Sequence, residues 1–82
     1  MANQPYYVTA REIAKQLSNC GHSNWSDRIE DAIRTSSTGI EIAMNIRWNL
    51  REMLDSGIKI DKNIEFQSTE LIKKINKALN ST

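Results

Sequence analysis

Residues 38–56, TGIEIAMNIRWNLREMLDS, constrain the fold more than any other part of the chain, because they read as one helix with a defined start, a defined end and two apolar sides. Thr38 and Glu41 stand at capping-box spacing, so the threonine hydroxyl can accept from the Glu41 amide while the carboxylate reaches back to the Thr38 amide. At about 100° per residue, Ala43, Ile46, Leu50, Met53 and Leu54 share one side. Ile40, Met44 and Trp48, spaced four apart, carry apolar surface round to a second side. The strip of Glu41, Asn45, Asn49 and Glu52 is the uniformly polar part. A helix of this kind is either the central post of a small bundle or a post with one side reserved for a partner.

The 82 residues make one domain, near the lower end of what builds a core without staples or metals. A hydrophobic fraction of 39% and a charged fraction of 26% belong to a folded chain rather than a disordered one. Little of so short a chain can be spared for a deep pocket, which favours surface binding over small-molecule chemistry. Cys20 is the single cysteine, so no internal disulfide can form and a reducing compartment is expected. The first residues show no basic-then-apolar signal pattern, and no apolar run approaches the roughly 18 residues of a membrane span. The expected location is the cytoplasm. A net charge of +1 argues against broad electrostatic binding to nucleic acid. The middle of the chain is mildly acidic and the last third mildly basic.

Capping and apolar spacing divide the rest. Pro5, Tyr6 and Tyr7 read as an extended lead-in, with Val8 placed to staple against Ile13 across a Thr9 cap. A first helix then runs to about Asn19 on the stripe Ala10, Ile13, Ala14 and Leu17, stopped by Gly21. A second, capped by Ser23 or Asn24, runs to about Thr35 with Trp25, Ile29, Ala32 and Ile33 inward. The third ends at Asp55-Ser56-Gly57. Residues 58–66, IKIDKNIEF, alternate apolar and polar about Asp61-Lys62-Asn63, as a tiny hairpin or an extended connector laid over the bundle would. In a helical domain the connector is preferred, with Ile58, Ile60, Ile64 and Phe66 tucked inward. Ser68 is read as the cap of a fourth helix, from Thr69 to about Leu79. The expected class is all-α: a single small four-helix domain with a central third helix and an irregular or short extended connector before the last.

Chemistry finds little to work with. Cys20 and His22, the one strong nucleophile and the one neutral-pH base, sit two apart at a helix end, where side chains do not converge. The bland reading is a thiol half-buried against Leu17 and a solvent-facing imidazole. One Cys and one His supply two metal ligands where structural zinc takes four, so neither a metal nor a cofactor is expected. The carboxylate pairs Asp27/Asp31 and Glu52/Asp55 lie on helix sides turned from the predicted core, without the desolvation an acid–base pair needs. The expectation is a protein that is not an enzyme.

Two resemblances remain. Arg11-Glu12-Ile13-Ala14-Lys15-Gln16-Leu17 is similar to the first helix of many helix-turn-helix DNA-binding domains. The link from Ser18 to Asn24 reads longer than the usual turn of about 3–4 residues. The helix after it presents Asp27, Glu30 and Asp31 where a recognition helix wants basic or amide side chains. In size, absence of an active-site inventory and acidic middle, though by no motif, the chain resembles the immunity proteins that bacteria keep against toxins. That resemblance implies a protein partner such as a toxin domain, met by an acidic strip of Asp27, Asp31, Glu41, Glu52 and Asp55, with Trp48 as the central anchor and Met44 beside it among the partner-binding residues. Tryptophan and arginine are enriched at binding hot spots, and methionine adapts to a partner's contours. Trp48 has two placements: under Tyr6, Tyr7 or the 58–66 connector, as expected of a large aromatic in a small domain, or open to a partner. A helix-turn-helix-like DNA-binding domain is the alternative, and a homo-oligomer that buries Met44 and Trp48 against its own copy is a third reading.

Overall fold

A computed structural model describes residues 6–80 and contains four helices, α1 (Tyr6–Asn19), α2 (Ser23–Thr35), α3 (Gly39–Asp55) and α4 (Lys62–Asn80), with no strand among the described residues. The all-α expectation holds. The helices pack in the cyclic order α1–α2–α3–α4, with α1 and α3 meeting across the diagonal and α2 and α4 not touching each other. The third helix does touch the other three, but so does α1, and the central role is shared.

Each helix enters the core through the stripe its spacing predicts. Ala10, Ile13, Ala14 and Leu17 of α1 and Ala43, Ile46, Leu50 and Met53 of α3 are buried together with Ile29, Ile64, Leu71 and Ile75. Trp25 is half-buried against the edge of this core rather than inside it.

The caps decide where the helices stop, and some differ from expectation. The α1 terminus is a Schellman motif: the His22 amide donates to the Leu17 carbonyl (2.8 Å) and the Gly21 amide to the Ser18 carbonyl (3.2 Å), with Gly21 at φ 87°. The link to α2 is therefore only residues 20–22, shorter than the sequence suggests. His22, not Ser23 or Asn24, precedes the first turn of α2, and it makes no side-chain cap. Its Nε2 instead lies 2.8 Å from the Lys59 carbonyl oxygen, tying this link to the one before α4. The expected solvent-facing imidazole is half-buried, and the Cys20 thiol is exposed rather than packed on Leu17. At α3 the Thr38 hydroxyl accepts from the Glu41 amide (3.1 Å), while the Glu41 carboxylate accepts from the amide of Ser37 (2.9 Å), one residue earlier than an ideal box.

Two boundaries move outward. The first helix begins at Tyr6, so Tyr6 and Tyr7 are helical, Thr9 lies within the helix, and Val8 is exposed instead of stapled to Ile13. Tyr6 packs on the core, and that burial rewards an extra turn that capping propensity alone would not add. Pro5, expected to lie extended beside the tyrosines, falls outside the described residues.

At the other end α4 starts at Lys62, not Thr69. The Asp61 carboxylate accepts from the Ile64 amide (2.9 Å) and is the cap. Neither a hairpin nor a connector reaching 66 exists; residues 56–61 are the whole link. Ile64 joins the core, while Phe66 points outward at 64% exposure. Asn63 and Gln67, one turn apart, bond Gln16 of α1: Asn63 Nδ2 donates to Gln16 Oε1 (3.0 Å) and Gln16 Nε2 to Gln67 Oε1 (2.7 Å). Ser68, assigned as a cap from sequence, is fully buried, and its hydroxyl makes no hydrogen bond.

Candidate functional site

The side of α3 turned away from the core carries an apolar line among exposed charged residues. Ile40 is 64% exposed, Met44 46% and Trp48 57%, in a line of i, i+4, i+8 along one helix. The cause is positional. A helix at a corner of a four-helix square has neighbours for about half its circumference, and the apolar residues of α3 extend beyond that half. Trp48 is not under Tyr6, Tyr7 or the 58–61 link.

Ile40 also forms part of the wall of an open groove of about 560 Å³ at the end of the bundle. Tyr6 and Tyr7 of α1, Gly39 and Ala43 of α3, and Leu79 of α4 complete most of its lining. The small residues on α3 leave the space, and the stripe and groove join through Ile40. Sequence reasoning placed the stripe but missed the groove, because it joins three helix ends far apart in the chain.

Trp48 is held from one side. The Arg28 guanidinium lies 4.3 Å from the Trp25 ring centre and 5.5 Å from that of Trp48, within cation–π range of both. Arg28 Nε also donates to Asn49 Oδ1 (3.1 Å), and Asn49 Nδ2 donates to the Asn45 carbonyl (2.9 Å). Asn49 is thereby buried in the α2–α3 seam, a correction to the polar strip, where spacing placed it facing outward. Arg28 had no assigned role in the sequence reading, and only the proximity of α2 to α3 gives it one.

The charges beside the stripe are sorted. Glu41 and Glu52 fall on the α2 side of α3, in the rows of Asn45 and Asn49, which bond Ser36 and Arg28. Arg47 and Arg51 fall on the α4 side, where Arg47 Nη1 donates to Asn76 Oδ1 (2.7 Å). Asp55 follows Trp48 two turns on. Asp27 and Asp31 lie on the outward side of α2, where Asp31 pairs with Arg34. Among the described residues no ion pair reaches Asp27, Glu52 or Asp55. The seven residues marked in sequence therefore form no single patch. Met44, Trp48, Glu52 and Asp55 lie together, Glu41 is taken up in the α3 cap, and Asp27 and Asp31 stand across Arg28.

No three of His, Cys, Asp or Glu gather as a metal site among the described residues. None of their helices is long and apolar enough to cross a membrane. The chain matches no protein-family model, and comparison with curated proteins and with solved structures gives no significant match.

Proposed function

We propose that this chain is a non-enzymatic protein-binding module of the cytoplasm, a small helical inhibitor of the immunity or antitoxin kind that neutralises a toxin or enzyme by covering part of its surface. The supporting observation is the line of Ile40, Met44 and Trp48 open to solvent on α3. Scattered exposed apolar residues need no explanation, but three in register, continuous with an apolar groove, form the kind of patch that marks a contact site. Trp48 is the anchor: its ring is stacked on one side by Arg28 and so enters a contact partly immobilised, which reduces the entropy lost on docking. Glu52 and Asp55, which enter no ion pair among the described residues, suit basic residues around that anchor. The helix-turn-helix likeness gains a link of suitable length, but the outward side of α2 still carries Asp27 and Asp31, which repel phosphate.

The test is capture of a partner from native lysate by immobilised protein, followed by titration with purified Trp48→Ala and Glu52→Lys variants. Trp48→Ala is expected to weaken binding by about 2 kcal/mol or more, the hot-spot scale. A partner held with the same affinity by Trp48→Ala would remove the outer face of α3 from the contact.

A further inference from the structure

We infer that the outer face of α3 also pairs with a second copy of the chain, the two α3 helices running parallel about a two-fold axis along their length. This rests on reading that face as a docking surface and names one of its occupants. Self-pairing then competes with capture of another protein.

The geometry follows from the sorting of charge. An apolar line on α3 runs between Glu41 and Glu52 on the α2 side and Arg47 and Arg51 on the α4 side. A two-fold axis parallel to the helices turns the α2 side of one copy toward the α4 side of the other. Glu52 then faces Arg47 of the copy, five residues away in number, while Asp55, on the line itself two turns beyond Trp48, lies opposite its own counterpart and limits the strength of the pair. Charges flanking an apolar seam set partner and orientation in this way in paired helices. The antiparallel alternative brings like sides together, Glu41 toward Glu52 and Arg47 toward Arg51, and is repulsive.

The wider surface agrees. Because α2 and α4 occupy opposite corners, the same axis sets α2 of one copy toward α4 of the other. The outward residues of α2 include Asp27 and, paired with Arg34, Asp31; those of α4 include Lys77 and, paired with Glu70, Lys73. Arg28 bonded to Asn49 and Asn76 bonded to Arg47 place these acids and lysines beside the same turns of α3. Asp27 and Lys77 act across solvent, as a weak steering field rather than as contacts, the other two being balanced on their own helices.

The extent of the surface sets the strength. Ile40, Met44 and Trp48 expose on the order of 300 Å² of side chain, well under the roughly 800 Å² per partner of a standard stable interface. The pair is therefore weak and concentration-dependent.

Sedimentation equilibrium over a wide concentration range tests this on the whole chain, with Cys20→Ser as background for single-cysteine variants. The expected result is a reversible shift from monomer to dimer, with Trp48→Ala raising the dissociation constant about tenfold or more. Glu52→Arg weakens the dimer, and adding Arg47→Glu restores it, with circular dichroism confirming that each variant is folded. Under oxidation Ile40→Cys and Met44→Cys each cross-link to their own counterpart, because an axis along α3 keeps every seam residue opposite itself. A monomer at all concentrations, a dimer indifferent to Trp48→Ala, or a cross-link at only one of the two positions overturns the parallel pairing. None of these results touches capture of a different protein, which is read separately with that partner.

Discussion

Arg28 joins two helices through three contacts: the ring of Trp25, the ring of Trp48 and the side-chain oxygen of Asn49. Removing it leaves the buried amide of Asn49 short of a donor and both indoles unstacked. Arg28→Ala should lower stability by about 1–2 kcal/mol in urea unfolding, and tryptophan emission should shift in the folded state. Ser68 is the opposite case. Its hydroxyl is buried without a hydrogen bond, and serine is also a poorer helix former than alanine. Ser68→Ala should raise stability by about 1 kcal/mol, seen as a melting temperature higher by several degrees. A fall in stability would mean that the hydroxyl is satisfied after all. At this scale the sequence told part of the story. The apolar stripe on α3 was legible from spacing alone, whereas Arg28 and Asn49 look like ordinary surface residues until α2 is laid beside α3.

Among elements, the start of α4 is where local reading and structure diverge most. Isoleucines alternate with polar residues in 58–66, and alternation is the signature of a strand. Yet Ile64, Ser68, Leu71 and Ile75 also recur at three-to-four spacing, and this period prevails because Ile64 enters the core and Asn63 and Gln67 bond Gln16. Asp61 then has a first turn to cap. Asp61→Ala should cost about 1 kcal/mol, and amide exchange should quicken across the first turn of α4 and not near Ser68. The glycine stops behaved as expected: Gly21 and Gly57 both have positive φ, at 87° and 81°. Gly21→Ala is strained by its backbone conformation even though nothing crowds the new methyl, and about 1 kcal/mol of destabilisation is expected.

For the molecule as a whole, the two sides of α3 should respond differently to truncation. Leu50 is fully buried, and Leu50→Ala should remove about 2–5 kcal/mol. A domain of this size has on the order of 5–10 kcal/mol in all, so the variant should be partly unfolded at moderate temperature. Trp48→Ala, on the exposed side, should change chemical stability by about 1 kcal/mol or less, little more than its cation–π contact with Arg28. A pair of urea curves decides this. If Trp48→Ala is as damaging as Leu50→Ala, the ring is structural and the case for a docking face falls.

The order of helices, their inward stripes and most of their stops were determined by sequence alone, because period, capping residues and glycine act over a few neighbouring positions. Tertiary structure decided the rest. Which apolar residues of α3 are covered depends on how many neighbours a corner helix has, a property of packing that no local pattern carries. The same packing lengthened α1 and α4 by burying Tyr6 and Ile64, drew Asn49 into a seam, and left Ile40, Met44 and Trp48 in water. The surface proposed to do this protein's work is what remained of a greasy helix after its own chain had covered all it could reach.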